Sequence, residues 1–311
     1  MKFLLGCVVA LVLALPEPSA AEKITILYSN ATFTGTALFL TRDADLCRGR
    51  DIELELVLGG GSAPTVSAIL GGYVQFIHVS ASSVVNAALQ RGPVAIVAKV
   101  MGPPPYKLVA AKSIRSIADL KGKKIGVNRF GGAPDFLLRH VLAKSGIDSQ
   151  KEATILQTGD PTARLGALFS GGIDAVMLLV PEEKIAIEKD YPVIVDFAAL
   201  NLPYVNIVFG ANSKFLEEKP ALVRNFLACY WEGVKRAKEE PELAKKALAH
   251  WTRASDSALL DYTYKSWRSG FAPASLKVGP EELDLILASA PKTGAKKEAA
   301  QFLDMRFLPP L

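Results

Sequence analysis

Short stretches of alternating apolar and polar residues trade places with longer stretches of helical spacing along most of this chain. Residues 23–28 put Ile24, Ile26 and Tyr28 on one side and predict a strand, and residues 36–48 predict a helix. Residues 52–58 set Ile52, Leu54, Leu56 and Leu58 against Glu53, Glu55 and Val57, a strand with one wetter face. The turn Gly59-Gly60-Gly61 leads to a short helix over 64–70. A third strand over 74–79 then runs through Ser80-Ala81-Ser82-Ser83 into a helix ending near Gln90. Strands separated by helices of about ten or more residues imply a parallel sheet with helices on its faces.

The same grammar restarts after residue 122. Strands over 123–128, 153–157 and 175–180 alternate with helices over 133–145, 162–169 and 181–189. Pro134 sits in the first turn of one helix with Gly146 past its end, and Glu182-Glu183 open another, where a negative charge suits the helix dipole. The blocks form a loose repeat, with Gly71-Gly72-Tyr73-Val74-Gln75 and Gly171-Gly172-Ile173-Asp174-Ala175 in equivalent places. Two related α/β units imply a cleft between them. Between the blocks, strands 94–101 and 106–111 flank Gly102-Pro103-Pro104-Pro105. After the second block, strands 193–197 and 205–210 flank Asn201-Leu202-Pro203-Tyr204. Both proline-bearing links predict crossovers between lobes. From Lys219 the chain reads as helical to about Ala288, and the tail over 291–311 offers Phe302, Met305 and Phe307 for docking on a lobe.

Half of the 311 residues are hydrophobic and 22% are charged, enough for a substantial core and for two domains or one large α/β unit. The net charge of +5 is dispersed, and no basic run interleaved with aromatics speaks for nucleic acid. Lys2, an apolar run over 3–15 and the small residues Ser19-Ala20-Ala21 predict a secretory signal peptide over 1–21, cleaved before Glu22. That run falls short of the roughly 20 residues a membrane span needs. Leu4-Leu5-Gly6-Cys7 is no lipoprotein box, because most of the apolar run follows the cysteine. Cys47 and Cys229 remain in the mature chain. Cys229 shares a helical stripe with Leu222, Phe226 and Tyr230, where a buried free thiol is the plain expectation and a disulfide is the alternative.

The stretch Ser116-Ile117-Ala118-Asp119-Leu120-Lys121-Gly122-Lys123-Lys124-Ile125-Gly126-Val127, followed by Gly131-Gly132-Ala133, carries a family resemblance. Supporting it are the turns Leu168-Phe169-Ser170-Gly171-Gly172-Ile173-Asp174-Ala175 and Ile69-Leu70-Gly71-Gly72-Tyr73-Val74-Gln75. On these motifs the chain resembles the nitrate/sulfonate/taurine and thiamine-pyrimidine-precursor group of ABC-importer substrate-binding proteins. The resemblance implies a type II periplasmic-binding fold, two α/β lobes around a ligand cleft with two interlobe crossovers. Lobe one would comprise 22–103 and 206–290, and lobe two 104–205. It further implies a periplasmic monomer that needs no cofactor and delivers a small molecule to an ABC permease with its ATPase. Gln75 replaces the usual aspartate of the first turn, so the hydrogen bonding there is expected to differ.

Ligands of parallel α/β sheets bind beyond the carboxyl ends of the strands, where helix N-termini offer N–H groups. In lobe one that rule selects Asn30, Thr32 and Phe33, then Gly61 and Ser62, then Ser80, Ala81 and Ser82. In lobe two it selects Phe130, Gly131, Gly132 and Ala133, then Pro181 and Glu182. Hydroxyls and exposed amides suit an oxyanion such as a sulfonate or carboxylate, and Phe33, Phe130 and Tyr204 are candidate apolar walls. Arg129 is a candidate counter-charge. Glu182 stands where the family often has an aromatic-glutamate-proline turn, but the order here is Val180-Pro181-Glu182. His78 reads as a strand residue packed under the sheet. The expected action is hinge closure on a ligand, with no catalytic residue. Two other readings are a sensory binding protein docking on a receptor and a pyrimidine-precursor synthase. The synthases carry a cysteine-rich segment that this chain lacks.

Overall fold

The computed structural model describes residues 21–159, 161–290 and 298–310, so the predicted signal segment lies outside the described residues except for Ala21. In the first lobe the elements run β1 (Glu22–Tyr28), α1 (Thr36–Asp43), β2 (Ile52–Leu58), α2 (Ser62–Leu70), β3 (Phe76–Ser80), α3 (Ala81–Leu89) and β4 (Val94–Met101). The chain then crosses over and forms β5 (Lys107–Ala110), β6 (Lys124–Val127), α4 (Ala133–Lys144), β7 (Thr154–Gln157), α5 (Pro161–Phe169), β8 (Ala175–Leu178), α6 (Glu182–Ile187) and β9 (Val193–Asp196). It returns as β10 (Ile207–Asn212), α7 (Ser213–Glu218), α8 (Pro220–Glu239), α9 (Pro241–Thr252), α10 (Ser257–Ser266) and α11 (Asp284–Ser289).

The sheets have the orders β2-β1-β3-β10-β4 and β7-β6-β8-β5-β9. They share one plan, and the fourth strand of each arrives through a crossover. Those strands break the expected all-parallel pattern: β10 runs antiparallel to β3 and β4, and β5 antiparallel to β8 and β9. A strand entering from the other lobe begins at the cleft, where the parallel strands end, so it must run the opposite way.

The repeat is closer in space than in the letters, once Gly72 is matched with Gly171. Both adopt positive φ, 74° and 73°, as glycine does without strain. In that register Gln75 matches Asp174. Gln75 Oε1 accepts from the Thr25 amide of β1 at 2.8 Å, and Asp174 Oδ2 accepts from the Lys124 amide of β6 at 2.8 Å. The glutamine therefore keeps the hydrogen bond that its replacement of aspartate was expected to change. The family-like stretch at Ser116 forms a capped turn, in which Asp119 accepts from the Ser116 and Arg115 amides just before β6.

Helix α1 is shorter than predicted, ending at Asp43, and a left-handed Asp45 redirects the chain. The predicted C-terminal run of helices is interrupted between Phe271 and Pro280, where Leu276 accepts a backbone bond from Lys99 of β4. The tail docks on the same edge: Phe302 and Phe307 are buried, and Asp304 N donates to Ile96 O at 2.8 Å.

Helix α8 buries Leu222, Phe226, Cys229, Tyr230, Gly233 and Val234 as one stripe. Phe226 meets Phe76 at 4.5 Å and Phe209 at 5.2 Å, tying the helix to the sheet. Cys229 is not a free thiol. It is bonded to Cys47, with the Cα atoms 5.2 Å apart, because the α8 stripe faces the turn that follows α1. At Gly233 the two helices come so close that an added Cβ would overlap Thr41 Oγ1 and lie 3.1 Å from Ala37 O. Thr41 already donates to Ala37 O at 2.7 Å, so moving its hydroxyl aside forfeits that bond. Gly233→Ala is expected to destabilise the protein by about 1–3 kcal/mol, the usual range for overpacking, read as a lower urea midpoint. An unchanged midpoint would mean that α1 and α8 are free to separate.

Candidate ligand-binding cleft

The carboxyl ends of β1, β3, β6 and β8 face one another across the lobes, and the lobes touch. Ser83 Oγ at the start of α3 donates to Gly131 O at 3.0 Å, and the Tyr262 hydroxyl of α10 donates to Glu183 Oε1 of α6 at 2.8 Å. Gly61 faces the side chain of Arg129, with φ at 125° where a side chain would be strained and would strike the arginine. Tyr204, in the second crossover, stacks on Phe136 of α4 with ring centres 5.6 Å apart.

Between these contacts lies a cavity of about 30 Å³. That is room for a water or two, so an organic ligand requires the lobes to part or the cavity to widen. The first lobe lines it with Ser29, Asn30, Thr32 and Thr34, the second with Asn128, Gly159 and Arg164, and Tyr106 reaches in from the first crossover. Thr32 and Thr34 lie hydroxyl to hydroxyl at 3.0 Å. Asn128 Oδ1 is buried without a hydrogen-bond partner among the described residues.

Among the described lining residues, Arg164 carries the formal charge. It sits in the first turn of α5 with 1% of its surface exposed, and its Nη1 donates to Gly159 O at 3.4 Å. A guanidinium removed from water interacts strongly with any charge that shares its cavity. Tyr106 beside it is driven up to about 12 by burial, the arginine's charge pulling the other way. Tyr204 is raised further by its own burial, so both phenols stay neutral hydrogen-bonding groups.

Of the residues selected by sequence, Asn30 and Thr32 line the cavity. Ser62, Ser80 and Ser82 are buried beside it and spend their hydroxyls on one another: Ser80 bridges to Ser83 at 2.7 Å and lies 3.4 Å from both Ser62 and Ser82. The Ala81 amide donates to Asn206 O, and Ala133 and Gly132 are buried at the start of α4. The Gly131 amide is taken by Asp135. Pro181 and Glu182 are half-buried after Leu179, which lines the cavity. The expected aromatic walls go elsewhere. Phe33 is in the core, edge-on to Phe271 at 5.7 Å, because its residue begins a helical turn facing inward. Phe130 is exposed, with the Arg139 guanidinium 5.9 Å from its ring centre. Tyr204 packs behind the cavity in the crossover, and Arg129 is an exposed rim residue. His78 is buried in β3, where desolvation holds it near 4, and none of the three histidines lines the cavity.

Ser29, Thr34, Tyr106, Asn128, Gly159 and Arg164 line the cavity but were not among the selected residues. The rule that found the other loops also covers the loop from β7 to α5, and it would have reached Gly159 and Arg164.

A model of the NMT1/THI5-like family matches residues 36–244. The chain belongs to that family. Among relatives, a candidate binding protein of Brucella abortus is 29% identical over 167 residues, 52% of this chain and 51% of that one. The chain thus spans about half the length of the curated relatives it matches. A solved structure from Bordetella bronchiseptica superposes with a TM-score of 0.81 at 18% identity, covering 92% of this chain and 95% of that one. The alkanesulfonate-binding protein SsuA of Xanthomonas axonopodis, bound to MOPS, gives 0.72 at 18% identity, with 86% and 90% covered. The desulfurization enzyme DszB shares the fold as well, at 0.64 and 15% identity, with 91% and 97% covered. This NMT1/THI5-like chain therefore has the periplasmic binding protein fold, and its structural neighbours are chiefly binding proteins.

Proposed function

We propose that this protein is an extracytoplasmic solute-binding protein that closes its lobes over a small organic anion, a sulfonate or carboxylate. It then presents the closed form to an ABC permease. The observation that carries the reading is Arg164, a buried guanidinium at a helix start inside the interlobe cavity, opposite the hydroxyls of Ser29, Thr32 and Thr34. A guanidinium and several hydroxyls around one cavity are donors that suit the oxygens of a sulfonate or carboxylate. The family membership, the fold and the signal-like segment before Glu22 support secretion and capture.

The test is a thermal-shift screen of the mature protein against alkanesulfonates, carboxylates, amines and neutral sugars. Acidic compounds are expected to raise the melting temperature, since a ligand at about 100 times its Kd adds about 2.7 kcal/mol of stability. Shifts confined to amines or sugars would overturn the anion assignment.

A further inference from the structure

Glu183 is a carboxyl buried at a contact that exists only while the lobes are together. It lies on α6 of the second lobe with 1% of its surface exposed. Its Oε1 accepts from the Tyr262 hydroxyl on α10 of the first lobe, at 2.8 Å. Its Oε2 is buried without a hydrogen-bond partner among the described residues.

The charged and titratable groups around it do little to offset that burial. Lys107 of β5 is engaged by Asp196 of β9 at 2.6 Å. Lys184 pairs with Glu188 and lies 5.6 Å from the centre of the Tyr262 ring. Asp196 is a second negative charge near Tyr262, whose hydroxyl is driven up to about 12, mostly by burial, and so stays protonated. Ionised in this position, the carboxyl is a buried charge whose Oε2 has no side-chain donor among the described residues, whereas the neutral acid keeps the tyrosine bond without that charge.

We propose that Glu183 is a proton-operated latch between the lobes, the closed form being favoured when this carboxyl is protonated. The proposal rests on the lobe closure of the reading above but not on its ligand. Parting the lobes breaks the Tyr262 contact and lets water reach the carboxyl, returning its affinity for protons to the ordinary range. Burial in the closed form pushes the pKa up, outweighing the Tyr262 hydroxyl, the backbone amides of Lys184 and Glu183 and the Lys107 charge, which pull it down. The closed form thus binds more protons than the open one. Closure is then strengthened as pH falls through the raised closed-form pKa, and the gain levels off below the ordinary carboxylate range.

The experiment needs no ligand. Dyes on Gln90→Cys and Lys151→Cys, exposed positions on the first and second lobes, report the lobe separation by energy transfer in single molecules of the mature protein. Between pH 8 and pH 4 the closed-to-open ratio is expected to rise severalfold, a tenfold rise corresponding to a pKa difference of about one. Glu183→Gln, which keeps an acceptor for Tyr262 and carries no charge, is expected to show a high and pH-independent closed fraction. A wild-type ratio that ignores pH, or a Glu183→Gln protein that keeps the wild-type slope, would overturn the latch. Tyr262→Phe controls for folding, since it leaves the carboxyl in place; it is expected to lower the closed fraction at every pH while retaining a slope. A Tyr262→Phe protein without a slope would also overturn the latch. The anion reading stands or falls separately on the thermal-shift screen.

Discussion

Arg164→Met is expected to weaken the binding of a sulfonate or carboxylate by about 30-fold or more while the protein keeps its fold. The methionine fills much of the space of the arginine stem, so the loss reports chiefly the charge. Truncating one partner of a desolvated, hydrogen-bonded charge pair costs about 2–5 kcal/mol, and each 1.4 kcal/mol is tenfold in Kd. Isothermal titration with the strongest anion from the thermal-shift screen reads this directly. Arg164→Lys should recover part of the affinity, because an ammonium restores the charge but not the planar fork of donors. An Arg164→Met protein with wild-type affinity would remove this residue from the site, and with it the reason for preferring anions.

The second large effect concerns stability and leaves binding alone. Replacing both Cys47 and Cys229 with serine is expected to cost about 2–4 kcal/mol, read as a lower urea midpoint. The bond closes a loop of 182 residues in sequence separation, which restricts the unfolded chain severely. Both sulfurs are buried in the first lobe, next to α8 and away from the cavity lining, so anion affinity should be unchanged. The same burial means that a reductant should act only after local unfolding. A double serine variant with the wild-type midpoint would show that α8 holds to the sheet through the Phe76, Phe209 and Phe226 contacts alone.

The fold was legible to the degree that it is written in local patterns. Alternation at Ile24, Ile26 and Tyr28, the proline and glycine at the ends of α4, and the glycine turns before β3 and β8 each place an element within a few residues. Doubling of the βαβ grammar, with a proline-bearing link after each block, was enough for two lobes and the crossovers. The candidate loops were legible for the same reason, since helix starts after strand ends are a local feature. What failed was the aim of side chains within those loops. Phe33 and Phe130 occupy loops at the cleft, yet one turns into the core and the other into solvent. The backbone path of each loop settles this, and composition does not reveal it.

Strand and helix positions, the two-lobed plan and the loops facing the cleft were thus determined by the order of residues, because each follows from neighbours a few positions apart. Only the tertiary structure decided that Cys47 meets Cys229, that β5 and β10 run against their neighbours, and that Arg164 is the buried charge of the cavity. These depend on contacts between residues far apart in the chain. Their free energy comes from packing and desolvation, which no local pattern encodes.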